Sequence, residues 1–458
     1  MDDRFEAAYL AGVPEALPEP APIALPRGAP PAEPYALVGA VVTPDEVHDP
    51  GCVVVADGKV EAVAASPPDG VRVQDTGGVI CPGLIDLHGH PEFNVFAAWE
   101  PPQEFVNRYA WRQSDLYHQL VRDPQNKLKA ALADQTQLRY AEVRALVGGV
   151  TAIQGTSEMV TRLTAESLVR NVDKWIFGQH RARALVDLPS ATGRARQQLD
   201  GILADIAAGE VDAFYLHLAE GKKDNPRSQQ EFDKLVELKA LTPATVIIHG
   251  TALSRDQLGD LRDAGAKLVW SPQSNLRLYG ETTDAGAALE MGLPVGLGAD
   301  WLPSGSPSLL AEITVARRCL IEQGHPVPAK QLVTMVTSGA AAIAGLADQL
   351  GTLAPGRPAD MVVFERRHPD PYENVVSAEP SWVELVTIGG DLTYGRTDWI
   401  TALSDDPSQL QPLIAWGQPM LLDTGYVAHG SGTAAAPSLT DLRAALIAAY
   451  PQVGPIFV

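Results

Sequence analysis

Cysteine, aromatic residues and long apolar runs are all scarce in this chain. The 3 cysteines, Cys52, Cys81 and Cys319, are odd in number and scattered, which argues against a disulfide framework and favours a reducing cytoplasm. No apolar run approaches the roughly 20 residues that a membrane-spanning helix needs. The acidic N-terminal segment also lacks the apolar stretch of a secretory signal. We therefore expect a cytoplasmic protein with no membrane partner.

Positive charge is scarce as well. The chain has 35 lysines and arginines against 56 aspartates and glutamates, so its formal net charge is -21. Such a surface repels nucleic acid and anionic lipid, and we expect neither as a partner. With 458 residues, of which 45% are hydrophobic, the chain can hold a barrel of about 250 residues and a smaller domain.

The most informative stretch is His88-Gly89-His90, which closes the apolar run 79–87. Two histidines one residue apart at the end of a strand point the same way, because strand side chains alternate with a period of two. Such a pair can hold one face of a metal ion. Taken alone, a chance pair of histidines near a turn is a serious alternative.

Three further apolar segments end in similar residues. His217 ends the segment 211–217, His249 ends the segment 246–249, and Asp300 ends the segment 295–300. A parallel β/α barrel carries its catalytic groups at the C-terminal ends of its strands. Four strand ends that carry His or Asp are hard to explain as packing, so they predict a metal site on such a barrel.

These motifs together resemble the amidohydrolase superfamily, in the branch of the cytosine, guanine and adenosine-type deaminases and the triazine hydrolases. The resemblance covers residues 37 to 397. It also includes Glu220, three residues after His217, and the segments 271–278 and 351–363. The combination is specific for the superfamily and much less specific for a substrate.

The resemblance implies an α/β fold, with a (β/α)8 TIM-like barrel, a small discontinuous β-sandwich domain and a C-terminal extension. Eight prolines between residues 13 and 34 predict an extended arm at the N-terminus. The expected order is an arm (1–35), the first part of the small domain (36–80), the barrel (81–345), the second part of the small domain (346–400) and the extension with a terminal helix (401–458). The third and fourth barrel strands are expected between residues 165 and 190.

The resemblance also implies a role for each residue at the strand ends. One divalent ion per chain, zinc in preference to iron(II), would be held by His88, His90, His217 and Asp300. Such an ion would lower the pKa of its bound water towards about 7. Asp300 would also take the water proton, and His249 would hydrogen-bond the water or the developing oxyanion. Glu220 would carry protons between water, ring and leaving group; an ordinary surface glutamate is the alternative.

A second metal ion would require a carboxylated lysine or a carboxylate at the end of the fourth barrel strand. The only lysine in that region is Lys174, and it does not lie at a clear strand end. One metal ion per chain is therefore expected.

The segment 91–128 is a long insertion after the first barrel strand, rich in aromatic and arginine residues. Such insertions are usually functional, although a cover over the barrel rim is an equal alternative. Its Arg108 or Arg112 could orient an acidic or carbonyl group, and Trp301 could stack on a heterocycle. The predicted substrate contacts are Gln154, Trp111, Arg112, Asn275, Arg277, Tyr279 and Trp301.

The expected function is that of a metal-dependent hydrolase of C–N bonds other than peptide bonds. The leading hypothesis is a deaminase that acts on an amino-substituted or amidine-containing heterocycle through a metal-activated hydroxide. Alternatives are hydrolytic opening of a cyclic amide or amidine, as in imidazolonepropionase-like enzymes, and displacement of another leaving group such as chloride. A non-catalytic barrel scaffold is least favoured, because every member of the ligand set is present. The expected partners are a small-molecule substrate and a second copy of the chain in a homodimer.

Overall fold

The computed structural model describes residues 31–44, 46–132, 136–155, 168–174, 176–190, 192–424 and 437–457. Most of the predicted N-terminal arm, residues 1–30, and residues 430–436 of a Gly- and Ala-rich stretch lie outside this description. Within the described part, no helix combines the length and the apolar character needed to cross a membrane.

Seventeen strands follow one another along the described chain. They are β1 (Tyr35–Val42), β2 (Val47–Ala56), β3 (Lys59–Ala64), β4 (Arg72–Pro82), β5 (Leu84–Asp86), β6 (Val150–Ile153), β7 (Arg170–Asn171), β8 (Ala182–Leu185), β9 (Ala213–Leu218), β10 (Thr245–His249), β11 (Lys267–Trp270), β12 (Val295–Leu297), β13 (Met361–Phe364), β14 (Val383–Ile388), β15 (Asp391–Arg396), β16 (Gln411–Ala415) and β17 (Gln418–Leu422).

The helices lie mostly between the strands from β5 to β13. The α-helices are Arg108–Arg112, Asp115–Tyr117, Asp123–Ala131, Thr136–Val147, Arg194–Ala207, Pro226–Glu237, Arg255–Asp263, Pro272–Tyr279, Ala285–Glu290, Leu309–Glu322, Ala329–Thr334, Ser338–Ile343, Pro371–Val376, Thr397–Leu403 and Leu439–Ala449. Short 3-10 turns occupy Pro91–Phe93, Pro380–Trp382 and Pro407–Gln409, and one π-helical turn occupies His118–Arg122.

The strands at the two ends of the chain form one nine-stranded sheet, in the order β16-β17-β15-β14-β13-β4-β1-β2-β3. The strands of this sheet thus come from two separate parts of the sequence, residues 35–82 and 361–422. Two of its hairpins turn on residue pairs with positive φ, Asp57-Gly58 (50° and 75°) and Gly389-Gly390 (58° and 76°), as two-residue hairpins require. The sheet also continues beyond residue 400, into the predicted C-terminal extension, because β17 pairs with the edge of β15.

The eight strands β5 to β12 are parallel to their paired neighbours and lie in chain order. Their ladders form a three-stranded sheet, β5-β6-β7, and a five-stranded sheet, β12-β11-β10-β9-β8. The strands β7 and β8 lie in the segment where the third and fourth barrel strands were expected. β7 is only two residues long, and among the described residues it has no ladder to β8. The sequence predicts a single closed barrel, but the strand ladders of the described residues form two separate parallel sheets.

Backbone hydrogen bonds join the first and last of these parallel strands. The amide of Leu87 donates to the carbonyl of Leu297 (3.2 Å), and the amide of Asp300 donates to the carbonyl of His88 (2.8 Å). The two parallel sheets therefore meet where their strands end. Inward-facing apolar side chains fill the space below this edge in an alternating pattern, such as Val246 and Ile248 of β10.

The final helix packs on the outside of the molecule. Ser438 caps its N-terminus, in a capping box with Asp441. Its buried face, with Leu442 and Leu446, lies against the helix Thr136–Val147.

Candidate active site and metal centre

The first histidine of the pair is placed by a clamp between β5 and β12. The carboxylate of Asp86 accepts hydrogen bonds from the amides of His88 (3.2 Å) and Ala299 (3.0 Å). Burial raises the pKa of Asp86 to about 7. A Cβ atom added at Gly298 would lie 2.3 Å from the Cβ atom of His88, so only glycine allows this approach. The clamp brings His88 next to the end of β12, where Asp300 lies.

Three imidazoles meet above this clamp. The Nε2 atoms of His88 and His217 are 3.1 Å apart, and the side chain of His90 completes the group. A carboxylate oxygen of Asp300 lies 3.5 Å from Nε2 of His88 and 3.7 Å from Nε2 of His90. One ligand-capable atom from each residue of the three-histidine group lies within 4.8 Å of the others, and the same holds for a second group of His88, His249 and Asp300. The structure therefore brings all four predicted metal ligands together.

The donor set fits a borderline divalent ion. Burial and the neighbouring imidazoles hold the pKa values of His88 and His217 well below the usual histidine range. These rings are therefore neutral, the form that binds metal. The buried Nδ1 atom of His217 has no hydrogen-bond partner among the described residues. The Nε2 atoms of His88 and His217, which face each other at 3.1 Å, are the nitrogens that a metal ion in this cluster would hold.

Three strand ends carry non-glycine residues in the left-handed backbone region. They are Ala219 (φ 52°), His249 (φ 68°) and Asp300 (φ 62°). Such conformations cost about 1 kcal/mol or more each, and they cluster at functional sites. At Ala219 the left-handed turn breaks the strand alternation directly before Glu220. The side chains of Glu220 and His217 can therefore both face the cluster.

Glu220 is buried and held from one side. Its Oε1 atom accepts a hydrogen bond from the hydroxyl of Tyr279 (2.5 Å), and its Oε2 atom lies 3.8 Å from Nε2 of His249. Burial alone would raise the pKa of Glu220, but His249, Arg108 and Arg112, together with the Tyr279 hydrogen bond, outweigh it and lower that pKa. The surface-glutamate alternative does not hold, because only 3% of Glu220 is exposed.

His249 is oriented by Asn275. The Nδ1 atom of His249 lies 2.9 Å from Oδ1 of Asn275. The amide nitrogen of Asn275 donates to the hydroxyls of Thr282 (3.2 Å) and Thr283 (3.4 Å), so the oxygen is left to accept from the ring N–H. Nε2 then points at the cluster, 4.0 Å from the Asp300 carboxylate. Burial raises the pKa of Asp300, although His249 and His90 oppose that change.

An acidic side chain that the sequence analysis missed lies beyond the fourth parallel strand. Asp187 accepts hydrogen bonds from Arg112 (2.9 and 3.2 Å), and its carboxylate lies 3.0 Å from Nη2 of Arg108. Its carboxylate is therefore paired with guanidinium groups. Lys174 lies three residues after the end of β7, the third parallel strand. Asp187 could not be predicted, because β7 and β8 are too short for their strand pattern to be recognised in the sequence.

The insertion borders the site through aromatic rings. The ring of Trp301 lies 6.4 Å from that of His90 and 5.3 Å from that of Trp111. Both indoles are buried, and they pack with Trp99 and Tyr117. The second part of the segment is helical, since it includes the helix Arg108–Arg112 and the start of the helix Asp123–Ala131, whereas residues 94–107 form no helix.

Two other predicted substrate contacts, Gln154 and Arg277, form hydrogen bonds to groups of the protein itself. The amide nitrogen of Gln154 donates to Asp173 (3.0 Å). Arg277 donates to the carbonyls of Gly305 (3.1 Å) and Pro303 (3.5 Å). Their contact with a substrate, like that of Trp111, Arg112, Asn275, Tyr279 and Trp301, stays a prediction.

The profile of the amidohydrolase family matches residues 79–393, which is more than half of the chain. The chain therefore belongs to the amidohydrolase family, and the resemblance seen in its sequence is confirmed.

Individual relatives are distant. The chain is 25% identical over 340 residues to 5-methylthioadenosine/S-adenosylhomocysteine deaminase of Teredinibacter turnerae, covering 67% of this chain and 76% of the relative. It is 24% identical over 394 residues to guanine deaminase of Escherichia coli, covering 76% and 89%. A solved variant of atrazine chlorohydrolase from Arthrobacter aurescens, complexed with zinc and atraton, matches with a TM-score of 0.63 and 18% identity, covering 78% of this chain and 94% of that one. That structural match speaks for the fold alone.

Proposed function

We propose that this protein is a metal-dependent deaminase of a purine- or nucleoside-type heterocycle. The observation that carries the proposal is Glu220, a buried carboxylate that faces His249 beside the imidazole cluster without belonging to it. Two curated relatives named above are deaminases by name, of 5-methylthioadenosine/S-adenosylhomocysteine and of guanine. A closed (β/α)8 arrangement of β5 to β12 and a homodimer belong to the same proposal.

A divalent ion held by His88, His90, His217 and Asp300 would act as a Lewis acid that lowers the pKa of a water molecule towards about 7. We infer one such ion per chain, with zinc preferred over iron(II). The pairing of Asp187 with Arg108 and Arg112 supports one ion, because that carboxylate is engaged elsewhere.

The proton transfers fall to Glu220, His249 and Asp300. Asp300 accepts a proton from the attacking water. Glu220 takes the other proton of the water and gives it to a ring nitrogen through Oε2, its oxygen on the His249 side. It then relays the proton held by Asp300 to the departing amine, which leaves as ammonia. His249 donates its Nδ1–H to Asn275, and its Nε2 can then accept a hydrogen bond from the attacking water. The roles differ because Asp300 lies against the imidazoles of His88 and His90, whereas Glu220 stands outside that cluster and faces His249.

The walls around the site favour a flat substrate. Trp301 presents its indole ring next to His90, and Trp111 packs against Trp301. Flat rings give a large contact area with few rotamers to restrict. Arg112 lies over the ring of Trp111, at 5.5 Å from its centroid, where it can orient a carbonyl or acidic group.

Displacement of chloride from a heterocycle is the second candidate, because it would use the same activated water. Ring opening of a cyclic amide or amidine remains the third, since it uses the same water and acid. The products separate them: deamination releases ammonia, dehalogenation releases chloride, and ring opening need release neither.

The test is a product assay on the zinc-loaded full chain. The panel is 5-methylthioadenosine, S-adenosylhomocysteine, guanine, adenosine and atrazine, with ammonia and chloride measured in parallel and products weighed by mass spectrometry. We expect ammonia from at least one purine compound and no chloride from atrazine. Chloride without ammonia would replace the proposal with the second candidate, and no turnover of any purine would refute it.

A further inference from the structure

One short segment supplies hydrogen-bond partners to several site residues. Ser271 bonds Nδ1 of His88 (2.8 Å), Asn275 bonds His249 (2.9 Å) and Tyr279 bonds Glu220 (2.5 Å). Ser271 precedes the helix Pro272–Tyr279, and the other two residues lie in it. Positions spaced by four share one face of a helix, so this helix presents a polar stripe to the site.

The two hydrogen bonds of the Tyr279 hydroxyl group can run in only one direction. The indole nitrogen of Trp111 can only donate, and it donates to the hydroxyl oxygen of Tyr279 (2.9 Å). The hydroxyl proton of Tyr279 is then directed at Oε1 of Glu220. The Oε2 atom of Glu220 is left to face His249, so the carboxylate has one defined orientation.

This chain of bonds is shielded from water. Tyr279 is 0% exposed and Trp111 is 8% exposed. Hydrogen bonds to an ionised group are stronger in such surroundings than at the surface. Backbone hydrogen bonds also join the insertion to both ends of the Tyr279–Glu220 pair. The amide of Phe105 donates to the carbonyl of Leu278, next to Tyr279 (2.7 Å), and the amide of Arg108 donates to the carbonyl of Glu220 (3.2 Å).

We propose that Tyr279, anchored by Trp111 of the insertion, is a positioning residue that fixes the Glu220 carboxylate for proton transfer. This inference rests on the proposed function, because Glu220 is the proton carrier there. It gives Tyr279 a role through Glu220 instead of the direct substrate contact expected from the sequence. It also makes the packing of the insertion a condition for proton transfer.

The kinetic test uses Tyr279→Phe, Trp111→Phe and the double variant, with the panel substrate of highest kcat/KM. Loss of a hydrogen bond to a charged group predicts a drop in kcat of about 10-fold for Tyr279→Phe. KM should change by less than about 2-fold, because binding in the ground state is untouched. Trp111→Phe should lower kcat less, and the double variant should match Tyr279→Phe, since both act through one chain.

Two matched controls separate positioning from packing. Tyr140→Phe removes a buried tyrosine hydroxyl whose bond goes to the carbonyl of Gly454 (2.9 Å), outside the site. Trp99→Phe removes an indole of the same aromatic cluster, whose nitrogen has no hydrogen-bond partner among the described residues. Both should retain kcat more fully than Tyr279→Phe. A Tyr279→Phe enzyme with normal kcat, or with raised KM and normal kcat, would overturn the proposal.

A structural comparison decides the matter even if the proposed function fails. Crystal structures of the zinc-loaded wild type and Tyr279→Phe should show the Glu220 carboxylate turned, with a longer distance from Oε2 to Nε2 of His249. An unmoved carboxylate would overturn the positioning role. Failure of the wild type to release ammonia would instead refute the function and leave this comparison valid.

Discussion

The two parallel sheets contribute to the site in different ways. The five-stranded sheet, β8 to β12, carries His217, Glu220, His249 and Asp300 at or just beyond its strand ends, and one helix after β11 holds two of them. The three-stranded sheet, β5 to β7, contributes His88 and His90. His88 is held by Ser271, which follows a strand of the other sheet.

This comparison shows that the proton carriers and the metal ligands are held in place by different parts of the fold. Glu220 and His249 belong to one sheet and are oriented by groups attached to it. The imidazole cluster spans the place where the two sheets meet, and depends on the Asp86 clamp and on Ser271. Removing groups at this meeting point should therefore affect metal content, whereas removing Glu220 should affect only turnover.

The largest effect is expected for Asp300→Ala. The carboxylate lies within 4.0 Å of His88, His90 and His249, so its loss removes both a ligand and a proton acceptor. Bound metal, measured by elemental analysis, should fall from about one ion per chain towards zero, and activity should fall to the detection limit. His325→Ala, outside the cluster, is the control. A fully loaded and active Asp300→Ala protein would show that the ligand assignment is wrong.

Glu220→Gln should leave the metal content and the melting temperature unchanged. Glutamine keeps the oxygen that accepts from Tyr279 but cannot carry a proton, so kcat should fall by at least about 10²-fold. Glu384→Gln, which alters a part-buried carboxylate of the nine-stranded sheet, is the control. Normal turnover by Glu220→Gln would remove the main support for a deaminase.

Ser271→Ala tests the dependence of one sheet on the other. The hydroxyl lies 2.8 Å from Nδ1 of His88, and loss of such a partner to a ligand lowers metal affinity by about 10- to 100-fold. The measurement is competition with a zinc chelator, alongside Ser190→Ala as a control serine outside the site. Unchanged affinity would mean that the clamp at Asp86 orients His88 without help.

The smallest effect is expected for Trp301→Ala, which removes a wall beside the cluster. Stacking contributes about 0.5 to 1.5 kcal/mol, so kcat/KM should fall by roughly 2- to 10-fold on the best substrate. Trp382→Ala, an indole beside Arg367 at the nine-stranded sheet, controls for general destabilisation. If both variants behave alike, Trp301 contributes to packing rather than to the substrate pocket.

Much of this organisation could be predicted because its signals are local. The spacing in His88-Gly89-His90 and the apolar runs before His217, His249 and Asp300 identified the strand ends. The turns at Asp57-Gly58 and Gly389-Gly390 follow from residues that accept positive φ. The two-residue β7 and the four-residue β8 give too little periodicity to place, and for that reason Asp187 was missed.

What the sequence alone determined is therefore which elements end in chemically active residues, since periodicity, caps and turns depend on near neighbours. The tertiary structure decided how those residues face each other. Strand alternation alone would turn Glu220 away from His217, and the left-handed backbone at Ala219 reverses it. The partners of Glu220 are Tyr279, 59 residues further along the chain, and Trp111 behind it. Contacts between positions so far apart leave no periodic signal, because only the packed sheets, helix and insertion bring them within hydrogen-bond distance.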